Sequence, residues 1–160
     1  MKHYILKRAP RRGVTIILTM AAAALAAPAI AASAGEATTH RVKLNSTMFA
    51  AQVGSTSNGG SVYAGALPDP RLGHGAIVFT ATGTKTLKVV FREFFARGSI
   101  KGAGSITVTR HKGGKATLTG SLKINGGSAR YHGAQGKLAA RGGINKAGMV
   151  RATLKGSLTY

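Results

Sequence analysis

The sequence predicts an all-β chain of about eight antiparallel strands closed into a barrel, preceded by a signal peptide. Three observations predict it. From residue 40 onward apolar and polar residues alternate at period two, the pattern of strands with one buried face. The links between the alternating runs are short and rich in Gly, Asn and Lys, and only antiparallel neighbours can be joined by so few residues. About eight runs can be counted, the number at which such a sheet closes into a small barrel and loses its exposed edges.

The N-terminus reads as a targeting segment, not as part of the fold. Lys2, Lys7, Arg8, Arg11 and Arg12 form a positive region, residues 14–27 (VTIILTMAAAALAA) an apolar one, and Pro28 ends it. Ala32-Ser33-Ala34 then places small residues before a cleavage point. The expected organisation is a signal peptide over 1–34, a short polar leader over 35–40 and a β-barrel domain over 41–160. Residues 13–34 are also long enough to act as an uncleaved anchor, but Pro28 and the alanine run argue for cleavage. The localisation that follows is secreted, periplasmic or cell envelope. The chain has no Cys, so no disulfide holds the exported domain. Absence of Cys and Trp with abundant Ala and Gly fits a bacterial exported protein.

The expected strands, in order, cover residues 41–48, 61–67, 76–82, 86–95, 99–110, 116–124, 137–142 and 149–160. In the last, Val150, Ala152, Leu154, Gly156, Leu158 and Tyr160 share one face, against Arg151, Thr153, Lys155, Ser157 and Thr159. Leu118, Gly120, Leu122 and Ile124 face inward in the sixth, and Ile100, Gly102, Gly104, Ile106 and Val108 in the fifth. Turn residues separate the later runs at 96–98, 111–115, 125–127 and 145–148. Glycines in mid-strand mark tight bending or close approach.

Charge is the strongest compositional signal. The chain carries 23 Lys and Arg against three acids, Glu36, Asp69 and Glu93. Five cations fall in the signal peptide, leaving eighteen and a mature net charge of +15. Such a surface attracts polyanions, and it also serves to keep a Gly- and Ala-rich protein soluble.

Residues 124–136, INGGSARYHGAQG, do not form a phosphate loop, because Gly136-Lys137 is followed by Leu138 and lacks the required upstream Gly. Gly126, Gly127, Ser128, Tyr131, Gly133, Ala134 and Gly136 instead resemble, in order, the signature of the allene oxide cyclase/dirigent β-barrel group, with Ala129 in place of the usual third Gly. The resemblance is closest to bacterial exported relatives and covers residues 75–160 best. It implies an eight-stranded antiparallel barrel, a homo-oligomer (a trimer in plant members) and an apolar ligand in the lumen. It further implies that Gly126-Gly127 makes a turn, that Tyr131 tucks against the barrel end, and that Gly133 and Gly136 let the chain re-enter the sheet. No catalytic residue transfers with it.

Glu93 is the candidate catalytic residue. Alternation puts it on one face with Leu87, Val89, Phe91 and Phe95, where an unpaired carboxylate would hold its proton and could serve as a general acid or base. A cation partner, or a one-residue slip, would make it structural instead. Phe91, Phe95 and Tyr131 are the candidate ligand-binding residues. His40, His74, His111 and His132 show no ligand spacing, so no metal and no cofactor is expected. No Gly-x-Ser-x-Gly elbow occurs. Aromatic–cation pairs such as Phe91-Arg92 do not amount to a specific nucleic-acid site. The expected function is that of an exported barrel, more non-catalytic than enzymatic, binding a small apolar ligand or acting as an extracellular structural module. The alternatives are a basic binder of anionic wall or matrix polymers, and an isomerase or cyclase like the allene oxide cyclases.

Overall fold

The computed structural model describes residues 39–160; the signal-peptide reading of 1–34 and most of the leader lie outside the described residues. The strands are β1 (Arg41–Ser55), β2 (Ser61–Asp69), β3 (Gly73–Thr82), β4 (Thr86–Phe95), β5 (Gly98–Arg110), β6 (Ala116–Gly127), β7 (Gln135–Ile144) and β8 (Val150–Thr159). Each pairs antiparallel with the next, and β8 returns to β1, so the sheet is a closed eight-stranded meander. The closing seam runs from Arg41 opposite Thr159 to Ala50 opposite Val150. Backbone hydrogen bonds between His40 and Tyr160, at 2.7 and 3.0 Å, extend it by one more pair.

The meander sorts its connections between two ends. The β2–β3, β4–β5 and β6–β7 links lie with the start of β1 and the end of β8, at what is called here the seam end. The β1–β2, β3–β4, β5–β6 and β7–β8 links lie at the opposite, far end.

The lumen is packed because glycines are interspersed among large residues along its rows across neighbouring strands. One row reads Phe91, Gly102, Ile124, Gly136, Leu158; the next reads Val89, Gly104, Leu122, Leu138, Gly156, Leu44. At Gly102 a methyl group would sit 2.2 Å from the Lys123 carbonyl and 2.5 Å from the Phe91 ring. Glycine is therefore required there first by the β6 backbone and then by the Phe91 ring that fills the space beside it. The aliphatic core around these rows includes Ile77, Ile100, Leu154 and Leu67, all almost fully buried. Burial of each such side chain contributes on the order of 1.5–3 kcal/mol.

Several strands run two or three residues past the expected bounds, as β2, β3 and β7 do, and two differences have a distinct structural cause. β1 continues to Ser55, where the sequence reading stops at 48, because a bulge between Gln52 and Gly54 breaks the two-residue period while the β2 pairing persists. Asn125-Gly126-Gly127 is not the turn between β6 and β7. The strand runs through it past a second irregularity opposite Lys101 and Gly102. The connection is made by a short 3₁₀ turn at Ala129–Tyr131 and by Gly133, whose φ of +72° is left-handed. Ala129 also has a left-handed φ of +50°, a conformation that favours Gly and costs an L-residue roughly 1–2 kcal/mol. Tyr131, just behind it, is buried.

The Gly102 packing predicts that Gly102→Ala lowers stability by about 1–3 kcal/mol, through overpacking against Phe91 and the β6 backbone. Chemical denaturation of the two proteins measures it; an unchanged midpoint would show that the lumen is loosely filled.

Candidate functional site

Three places in the barrel can carry chemistry. The first is the lumen at the seam end. Among the described residues only Ser46, Asp69 and Glu93 are buried polar or charged side chains. β4 alternates cleanly, so Val89, Phe91, Glu93 and Phe95 all point inward and Lys88, Val90, Arg92 and Phe94 outward. Glu93 is 1 % exposed and lies between Ile77 of β3 and Ile100 of β5 in register. Its Oε1 has no hydrogen-bond partner. Burial, reinforced by the negative charge of Asp69, pushes its carboxyl up to about 8, and no cation offsets them. Glu93 is therefore a protonated acid at neutral pH.

Asp69 is differently placed. Its Oδ1 accepts the backbone N–H groups of Arg71 (2.7 Å) and Leu72 (2.9 Å), capping the β2–β3 turn. Its Oδ2 accepts the Ser46 hydroxyl at 2.5 Å and the Asn45 N–H at 3.4 Å. The backbone pairing of β1 with β2 runs only from Phe49–Ala66 to Ser55–Ser61, and Pro68 has no N–H to extend it. The Asp69 side chain thus clips β1 to β2 where the ladder stops.

The aromatic candidates separate. Phe91 lines an internal apolar cavity with Met48, Ile77, Phe79, Leu122 and Leu154. That cavity holds about 50 Å³, well short of the roughly 300 Å³ at which small-molecule sites begin. Phe95 and Tyr131 are outside its lining. They form a plug at the seam end: Tyr131 meets Phe95 edge-on at 6.1 Å and Tyr160 at 5.0 Å, and Arg130 lies 5.9 Å from the Tyr160 ring. Burial also raises the Tyr131 phenol above its ordinary value. Glu93 does not line the cavity either.

The second place is the far-end mouth, a cleft of about 370 Å³. Leu87, Val108, Ile144 and Tyr63 make its apolar floor, and Arg110, His111 and Lys115 lie at its rim. Tyr63 is fixed by stacking on Phe79 at 4.8 Å. The His111 ring bonds the Thr117 hydroxyl at 2.7 Å.

The third place is the outer surface. All eighteen Lys and Arg from Arg41 to Lys155 are exposed, while both described acids are in the lumen. The exterior of the described chain consequently bears no carboxylate side chain. Nor are its two sides alike. The outward positions of β2, β3 and β4 include Val62, Ala64, Ala66, Ala76, Val78, Val90 and Phe94, interrupted by Lys88 and Arg92. Those of β6, β7, β8 and the first half of β1 are Lys, Arg, Thr, Ser and Asn, with Ala139 and, at the edge, Phe49 as the main exceptions. On that side an open hollow of about 630 Å³ lies among Asn45, Thr47, Ala139, Arg141, Thr153 and Lys155.

Among the described residues no group of His, Asp and Glu could hold a metal ion. No protein-family model matches the chain, and no curated protein matches it.

Sequence reasoning singled out Glu93 but missed the other two buried polar side chains of the described chain, Asp69 and its partner Ser46. The signal for Asp69 was present in Pro68-Asp69-Pro70-Arg71-Leu72-Gly73, an Asp opening a tight turn. Nothing local marks Ser46, which is defined by its place opposite Asp69.

Glu93 dictates a pH dependence. The fold holds a proton that the unfolded chain releases above about 4.5, so stability is highest below that pH, falls to about 8 and then levels. At ~1.4 kcal/mol per pH unit the full fall is on the order of 5 kcal/mol. Glu93→Gln should abolish the fall and be the more stable protein at pH 9; parallel pH profiles for the two would refute the buried-acid assignment. Asp69→Asn should move the Glu93 titration, followed by carboxyl NMR, downward but keep it above the ordinary carboxylate range, because burial is the larger cause.

Proposed function

We propose that the mature protein is an exported, non-catalytic barrel that binds anionic polymers through its basic outer surface. The observation that carries this is the sorting of charge: eighteen exposed cations, and no acidic side chain outside the lumen in the described chain. A field of one sign, with no ion pair among the described residues, leaves the cations available to phosphate or carboxylate groups of a partner. The signal-peptide pattern adds that such partners are extracellular, as wall and matrix polymers are. The small internal cavity argues in the same direction, since it leaves little room for a ligand inside.

The allene oxide cyclase/dirigent resemblance remains part of this proposal as a statement of ancestry. It is supported by the eight-strand meander and by the buried Tyr131 plug that follows the Gly-rich segment. A second reading rests on the far-end mouth, whose apolar floor and volume suit a small apolar ligand.

Salt separates the two. Polymer binding by the exterior should weaken at least tenfold between about 50 and 200 mM salt, because bound cations are released from the polymer. Titration of the mature protein against an anionic polysaccharide at several salt concentrations measures this. Retention of an apolar molecule that survives high salt, together with absent or salt-insensitive polymer binding, would favour the mouth instead.

A further inference from the structure

We propose that polymer binding is seated at one built site, the hollow on the outer face of β1, β8 and β7, and that its ligand is a hydroxyl-rich anionic polymer of the carbohydrate kind. This rests on the exterior-binding reading above and adds a location and a chemical class.

The register builds the site. Ala139 of β7 stands opposite Ser121 of β6 on one side and Lys155 of β8 on the other, and Lys155 is opposite Asn45 of β1. Ala139 is exposed, so its methyl forms a low floor. Lys137 and Arg141 lie two residues away on the same strand, hence on the same face, roughly 6.6–6.8 Å along it in each direction. Three cations therefore surround one small residue. The next row places Arg141 beside Thr153, and Thr153 beside Thr47. The Arg141 and Lys155 donors can take a phosphate or carboxylate, and Arg can do so in bidentate fashion.

The other side chains decide the class. Beside the cations stand the Thr153 hydroxyl of β8 and, on β1, the Thr47 hydroxyl and the Asn45 amide, each able both to donate and to accept. They match a ligand that carries hydroxyls beside its acid groups. No aromatic ring lines the hollow, so it offers no stacking platform for bases of a single-stranded nucleic acid. A site made only of charge would not need the Ala139 floor; a sugar or polyol unit lying on the sheet does.

The test uses two polymers with mature protein and variants at fixed low salt. Polygalacturonate carries hydroxyls and carboxylates; inorganic polyphosphate carries charge without hydroxyls. Ala139→Leu fills the hollow without changing charge, at an exposed strand position. It should weaken polygalacturonate binding at least tenfold and leave polyphosphate binding within about twofold of the parent. The double variant Arg141→Gln/Lys155→Gln should weaken polygalacturonate far more than Lys88→Gln/Arg92→Gln, which removes the same charge from β4 on another part of the barrel wall. The two doubles should weaken polyphosphate equally. Parent-like polygalacturonate binding by Ala139→Leu, or equal losses in both doubles, would overturn the site while leaving exterior binding standing. Tighter binding to a DNA duplex than to polygalacturonate would overturn the chemical class. Absence of salt-dependent binding to any of these polymers would remove the exterior-binding reading and this inference with it.

Discussion

Closure of β8 onto β1 is the constraint on which the rest of the structure depends. Once the seam from Arg41–Thr159 to Ala50–Val150 is made, every strand has two neighbours and every side chain is either inside or outside. A two-residue period then becomes a sorting device. The lumen receives every Leu and Ile of the strands and the mid-strand glycines that let them interlock, while several valines of β1 to β4 face outward. The exterior receives every Lys and Arg of the described chain. No disulfide supports this arrangement, since the chain has no Cys. Packing and the continuous ladder must supply the stability that other small domains take from cross-links.

The acids show what sorting costs. Asp69 is buried, but four donors meet it and it replaces backbone pairing where β1 and β2 part. Glu93 is buried without compensation at Oε1 and keeps its proton to about pH 8. A neutral carboxyl is tolerable in an apolar lumen; an ionised one without a cation is not. The two acids therefore differ in environment, one hydrogen-bonded at a turn and one walled by Ile77 and Ile100. Burial of both leaves no acidic side chain on the outside of the described chain.

Much of this was legible in the sequence. The number of strands, their antiparallel order and the inward faces of β4, β5, β6 and β8 follow from alternation, because a half-buried strand must repeat every two residues. Glu93 stood out because it broke an apolar face. What stayed hidden depended on partners distant in sequence. The β1 bulge restores pairing after the alternation fails, and Ser46 has meaning only opposite Asp69. Asn125-Gly126-Gly127 has turn chemistry, yet it continues β6, since Gly127 packs against the Ser99 and Tyr131 carbonyls where a side chain would collide. The hollow on β1, β8 and β7 needed the register, which brings Asn45, Lys155 and Ala139 into one row from three segments of the chain.

The small internal cavity and the described exterior, which carries cations and no acidic side chain, make the wall of this barrel the place to test for binding. Backbone amide NMR during titration of residues 35–160 with polygalacturonate locates the contact surface directly. The account predicts shifts concentrated on β1, β7 and β8 around Asn45, Ala139, Arg141 and Lys155, with the amides beside Phe91, Leu122 and Leu154 unmoved. Shifts confined to those lumen residues or to the far-end mouth around Leu87 and Val108 would contradict it.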